Sequence, residues 1–128
     1  MAWLIDTDVA IHLRDGSPTI AARIAALDAE PALSVVSLVE LEAGAANDAL
    51  RTALLARLIE TILPLPFRAA EASAYGRIVA QLGYDRRKVL DRMIAAQALV
   101  AGRRLITING RDFAGIEGLE LEVWETPD

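Results

Sequence analysis

The sequence contains no cysteine, so disulfide bridges and thiolate metal sites are both excluded. Histidine occurs once, as His12, which argues against a histidine-rich zinc or non-haem iron centre. Any metal bound here is therefore held by oxygen, which favours a hard cation. Long apolar runs are also missing. Hydrophobic residues make up 54% of the chain, yet no uninterrupted stretch approaches the roughly 20 residues that a membrane span needs. Met1-Ala2-Trp3-Leu4-Ile5 meets Asp6 with no basic leader, unlike a secretory signal, and the expectation is a cytoplasmic protein. Gly102, Gly110, Gly115 and Gly118 form no phosphate-binding fingerprint, and no Ser/His/Asp arrangement is supported.

An overall basic charge is lacking too: the net charge is −5, from 18 acids and 13 bases. Its distribution changes what that implies. Glu117, Glu120, Glu122, Glu125 and Asp128 form an acidic edge and tail without a single base, and removing these five leaves 13 acids against 13 bases. Arg86, Arg87, Lys88, Arg92, Arg103, Arg104 and Arg111 are concentrated in the C-terminal third. A basic rim beside an acidic pocket is compatible with this pattern, and net charge alone does not exclude a nucleic-acid substrate.

What the chain does have is alternating strand and helix patterns, which imply an α/β fold around a central, mainly parallel sheet. Its 128 residues suffice for one domain, 1–128, with a real core. Ala2 to Ile5 reads as a buried strand, followed by a helical stretch from Val9 to Arg14. Ser17 and Pro18 make a good helix start, N-cap then N1, into Thr19 to Asp28. Leu33 to Val36 reads as a second strand, Ser37 opens a helix through about Ala46, and Asn47 to Leu63 carries another. Pro64 and Pro66 bracket a short extended piece at Leu65. Arg68 to Leu82 and Val89 to Ala101 are helices separated by the Gly83-Tyr84-Asp85 turn, and Gly102 ends the second of them. Leu105 to Ile108 is a strand, Asn109-Gly110 a turn, and Glu120 to Trp124 an edge strand.

Four acids stand out against this frame: Asp6, Glu40, Asp91 and Asp112. Asp6 ends an apolar strand, the position where ligand-binding groups collect in open parallel sheets. Asp91 shares a helix face with positions 94, 95, 98, 99 and 102, all apolar or glycine. An ionised carboxylate on such a stripe is costly unless a cation compensates it. Several such acids in one small domain suggest a shared Mg²⁺ or Mn²⁺. Each acid also has a local explanation. Asp6 fits an N-cap, Ser37-x-x-Glu40 fits a capping box, Asp91 suits the first turn of a helix or a pair with Arg87 or Arg92, and Asp112 fits a turn cap. Glu42 is expected to be solvated, His12 to lie at the surface or face a partner, and Trp3 and Trp124 to be core or interface aromatics.

With these residues in place the chain resembles the PIN-domain proteins, specifically the VapC-type toxin ribonucleases of bacterial toxin–antitoxin pairs. Leu4-Ile5-Asp6-Thr7-Asp8-Val9 is similar to the family's opening signature. Ser37-Leu38-Val39-Glu40-Leu41-Glu42-Ala43-Gly44, Asp91-Arg92-Met93-Ile94-Ala95-Ala96-Gln97-Ala98 and Thr107-Ile108-Asn109-Gly110-Arg111-Asp112-Phe113 are similar to its three later segments. One departure is Asp8, where the signature usually carries asparagine; it adds a fifth acid beside the site.

The resemblance implies a single PIN-like domain with helices on both faces of the sheet. It implies that Asp6, Glu40, Asp91 and Asp112 form a catalytic, metal-binding group with Mg²⁺ or Mn²⁺, supported by Thr7, Asp8, Thr107 and Asn109. The expected reaction is in-line hydrolysis of RNA by metal-activated water, leaving 5′-phosphate and 3′-hydroxyl ends. Arg86, Arg87, Lys88, Arg92 and Arg111 are the candidates for steering phosphates. The implied partners are RNA, a second copy of the chain, and a VapB-like antitoxin in a heterotetramer or larger assembly, with no membrane. Two alternatives compete. Asp6-x-Asp8 after a strand also fits a haloacid-dehalogenase-like phosphatase, but the sole lysine is Lys88 and no later acidic pair follows a strand. A catalytically silent PIN-like module that binds RNA or protein is the other, against which the complete set of four acids argues.

Overall fold

The computed structural model describes residues 1–127, so Asp128 of the acidic tail lies outside the described residues. Strands β1 (Trp3–Ile5), β2 (Ala32–Ser34), β3 (Pro64–Leu65), β4 (Arg104–Thr107) and β5 (Leu121–Val123) form one sheet in the order β3-β2-β1-β4-β5. Every pairing is parallel, a stronger result than the mainly parallel sheet expected. The helices are α1 (Thr7–Arg14), α2 (Pro18–Ala25), α3 (Val35–Ala45), α4 (Ala49–Thr61), α5 (Ala69–Leu82) and α6 (Val89–Ala101). Short 3₁₀ turns at Arg86–Lys88 and Gly110–Phe113 complete the order.

Alternation along the central strands sends side chains into two cores. Trp3 and Ile5 join Val9, Ile20, Leu41, Leu55, Leu58 and Ile106 on one face. Leu4 and Leu105 join Ala74, Ile78, Ile94, Ala95 and Phe113 on the other. A strand buried on both faces must be apolar throughout, and β1 is. Truncating Leu4 or Leu105, both fully buried, would cost about 2–5 kcal/mol. Trp124 also belongs to the first core.

Several boundaries move for identifiable reasons. The strand expected over Leu33–Val36 stops at Ser34, whose Oγ accepts from the Val36 amide at 2.9 Å and starts α3. Val35 and Val36 have strand propensity, but Val36 is buried in the second core as part of the helix. The extended piece at Leu65 is a true edge strand, with Pro64 paired to Leu33. Proline is tolerated there because an edge strand leaves one side without a ladder. Gly102 adopts φ 63°, the left-handed conformation that closes α6, with the Arg103 amide donating to Ala98 at 2.9 Å.

β1 is where the connectivity reverses: β2 and β3 lie on one side of it and β4 and β5 on the other. Groups at the carboxyl ends of β1 and β4 therefore flank the crevice in which open α/β sheets bind ligands. Asp6 follows β1 immediately, and Thr107 ends β4.

Candidate active site

Asp6 is 4% exposed and fixed at both oxygens. Its Oδ1 accepts from the Val9 amide at 2.9 Å, so it does cap α1. Its Oδ2 accepts from Thr107 Oγ1 at 2.5 Å, a contact that ties β1 to β4. Capping thus uses one oxygen and leaves the buried charge unexplained. Burial pushes the carboxyl up to about 6; the Thr107 and Val9 hydrogen bonds oppose that, while Asp8 and Asp112 reinforce it.

Thr107 is fully buried, and its Oγ1 also accepts from the Asn109 amide at 2.9 Å. The Asn109 side-chain amide in turn donates to Asp8. The β4 end therefore holds two acids of the α1 end through one threonine and one asparagine.

Glu40 lies in the second turn of α3, and the capping-box explanation fails. Ser34, not Ser37, is the N-cap, and Glu40 Oε1 instead accepts from Thr7 Oγ1 at 2.7 Å. Ser37 is buried, with its Oγ 2.8 Å from Thr7 Oγ1. Thr7 has a single hydroxyl proton; given to Glu40, it requires Ser37 to donate to Thr7. Of the two explanations open for Glu40, the capping box with Ser37 is the one that falls. The signal was its fixed spacing before Glu40, which a capping box shares.

Asp91 is the third residue of α6 and half-buried. Among the described residues it has no ion pair, so the suggested pairing with Arg87 or Arg92 does not form. Burial raises its carboxyl to about 6, assisted by repulsion from Asp112, Glu40, Asp6 and Asp8. Hydrogen bonds from Thr7, Thr107 and Asn109 hold Glu40, Asp6 and Asp8 at this end of the sheet, with Asp91 and Asp112 within electrostatic reach of them. Asp112 is carried there by the 3₁₀ turn after β4, its amide donating to Asn109 at 3.0 Å.

The basic candidates divide. Arg86, Arg87 and Arg111 are exposed and Lys88 is half-buried. Arg92 is a correction: it is only 7% exposed, and its guanidinium donates to the Gly83 carbonyl at 2.6 Å. Pointing back to the α5–α6 loop, it is taken up as a tether rather than displayed to solvent. His12 is half-buried on α1, and Glu42 is exposed as expected.

The acid group suits a divalent cation. Its charge is uncompensated by arginine or lysine, two of its members are held up near 6 by burial and mutual repulsion, and its donors are all oxygen. Among the described residues, no three of these side chains stand at a spacing that closes a cage around an ion. A cavity of 480 Å³ between α1, α2 and α4 has none of these five acids in its lining.

A family model described as PIN domain matches residues 3–119. The chain belongs to the PIN-domain family. It is 29% identical to the tRNA(fMet)-specific endonuclease VapC of Shigella flexneri over 130 residues, covering 97% of this chain and 98% of that protein. Among solved structures, DNA-bound VapBC from Salmonella typhimurium is similar with a TM-score of 0.80 at 27% identity, covering 97% of this chain and 99% of that one. VapBC2 from Rickettsia felis, bound to a promoter DNA fragment, superposes with a TM-score of 0.85 over 98% of this PIN domain and 100% of its own chain. At 22% identity the latter likeness speaks to fold alone. Membership in the PIN family sets aside the dehalogenase-like phosphatase, whose fold and acid placement differ.

Proposed function

We propose that this PIN-domain chain is a metal-dependent endoribonuclease toxin, held in check by a VapB-like antitoxin. The observation that carries the proposal is the way Thr107, Thr7 and Asn109 hold Asp6, Glu40 and Asp8 beside the switch point of the sheet, with Asp91 and Asp112 in electrostatic reach. The Shigella relative is named a tRNA endonuclease, and the Salmonella neighbour is a toxin–antitoxin complex. Both names fit this constellation.

Asp6 and Asp91, with Asp112 and Glu40, would hold Mg²⁺ or Mn²⁺. A divalent cation supplies an acidified water and offsets charge on the scissile phosphate. The chain's own contribution is placement. Thr107 fixes the Asp6 carboxylate, Thr7 fixes Glu40, and Asn109 fixes Asp8. No histidine is called upon, consistent with His12 lying outside the acid group. Arg86, Arg87, Lys88 and Arg111 would steer RNA phosphates toward the acids. No helix among the described residues is long and apolar enough to cross a membrane, and the proposed setting is the cytoplasm. There the toxin acts as a homodimer and forms a heterotetramer or larger assembly with its antitoxin. An antitoxin arginine placed among the acids would inhibit by substituting for the cation; inhibition that survives loss of every such arginine removes that detail.

The test is cleavage of end-labelled total and transfer RNA by the antitoxin-free protein in Mg²⁺, Mn²⁺ or EDTA, with Asp91→Asn alongside. Metal-dependent cuts lost in the variant support the proposal. A folded protein that binds RNA and metal but cuts neither pool overturns it in favour of a silent binding module.

A further inference from the structure

The loop between α5 and α6 carries a side chain that neither the fold nor the acid group uses. Tyr84 is 68% exposed, an unusual position for an aromatic ring in a chain with only two tyrosines. Its surroundings are held from three directions. Gly83 ends α5 at φ 85°, its amide donating to Val79 at 2.8 Å. The Gly83 carbonyl accepts from the buried Arg92. Asp85 caps the following 3₁₀ turn by accepting from the Arg87 amide at 2.9 Å.

Arg92 is the neighbour of Asp91 in α6, so one side chain fixes the loop to the residue beside a site carboxylate. The ring is thus presented on a backbone braced against α6, the helix that carries Asp91. Directly after it come Arg86, Arg87 and Lys88, and the only acid of the segment, Asp85, is occupied in the turn.

We infer that Tyr84 is a base-stacking subsite: an unpaired nucleobase of the RNA packs on its ring while Arg86 and Arg87 engage the adjoining phosphates. An exposed aromatic next to exposed cations is how proteins grip single strands, since every base has a face to stack and every nucleotide a phosphate. The charge of the segment selects this occupant over an apolar protein surface. The subsite would favour unpaired over duplex RNA and set which nucleotide lies across the acids. This inference rests on the nuclease proposal.

The probe is a 5′-labelled single-stranded oligoribonucleotide containing the cut site, its annealed duplex, and a set with one abasic nucleotide at each position in turn. Binding is measured in EDTA, where no cutting occurs, and cutting is measured separately with metal. Tyr84→Ala is expected to weaken single-strand binding about 5- to 150-fold, with little effect on the duplex. Tyr84→Phe and Tyr84→Trp should retain binding, because stacking needs the ring and not the hydroxyl. One abasic position should weaken the wild-type protein yet leave Tyr84→Ala no weaker than before. The salt dependence should stay unchanged in Tyr84→Ala and flatten in Arg86→Ala/Arg87→Ala.

A Tyr84→Ala protein with wild-type melting temperature and wild-type affinity overturns the inference while leaving the nuclease proposal standing. So does loss of binding that tracks loss of the dimer on a sizing column, which would make Tyr84 a subunit contact. A wild-type protein that neither binds nor cuts RNA overturns both.

Discussion

Replacing Asp6 by asparagine should stabilise the metal-free protein, and the size of the effect follows from the buried carboxylate. Burial moves Asp6 from 3.8 to about 6. At about 1.4 kcal/mol per pH unit, holding it ionised in the folded chain costs about 3 kcal/mol at pH 8. The sign follows from proton uptake. Between 3.8 and about 6 the folded protein binds more protons than the unfolded one, so stability is fully present below 3.8 and falls as pH rises through that window. Asparagine removes this penalty and keeps an oxygen for the Val9 amide. Its NH₂ must face Thr107 Oγ1, which then loses an acceptor for its own proton, offsetting about 1 kcal/mol. The net expectation is a gain of about 2 kcal/mol, or roughly 6–10 °C in Tm for a domain of this size. The assay is thermal and urea unfolding in EDTA from pH 3.5 to 8. At pH 3.5, where Asp6 is protonated, Asp6→Asn should be less stable than wild type by about 1 kcal/mol; the order should cross through pH 4–6 and then level off with the variant ahead. Adding Mn²⁺ should reverse the order, since only wild type retains the full acid set to gain binding energy. A variant that melts at or below wild type in EDTA at pH 8, with a gap indifferent to pH, refutes the account of Asp6 as an uncompensated buried charge.

Other outcomes follow from single contacts. Thr107→Val removes the hydroxyl between Asp6 and the Asn109 amide, and urea unfolding at pH 8 should show a loss of about 1.5–3 kcal/mol, smaller at pH 4.5 where Asp6 is protonated. Ser34→Ala deletes the α3 cap and should cost about 1 kcal/mol, whereas Ser37→Ala should chiefly disturb Thr7 and Glu40 and lower cleavage activity more than stability. Arg92→Met frees the Gly83 carbonyl, and amide exchange should quicken over residues 83–88 while the β1 and β4 amides stay protected. Alanine at Arg86, Arg87 and Lys88 together should flatten the salt dependence of RNA binding; an unchanged slope would remove them from the phosphate rim.

Asp6 was legible as both a cap and a buried acid, and the structure makes it both, because a carboxylate has two oxygens to share. Asp91 was legible from helical periodicity alone, since every neighbour on its face is apolar or glycine. Glu40 was not: a serine three residues before a glutamate signals a capping box, and only the hydrogen bond to Thr7 from another helix shows that the box never forms. Arg92 read as one more cation in a basic run, and nothing local says that it folds back to a carbonyl 9 residues away.

The sequence by itself determined the chemistry available and the order of the elements. With no cysteine and one histidine, only oxygen could hold a metal, and two-faced apolar strands required a parallel sheet covered by helices. Tertiary structure decided which acids meet and which charges remain free. Asp6 and Thr107 are 101 residues apart and touch only because β1 and β4 are paired in parallel register. That pairing depends on burying Leu4, Ile5, Leu105 and Ile106 together. The contact between Asp6 and Thr107 is therefore a consequence of core packing, which no local pattern around any one acid contains.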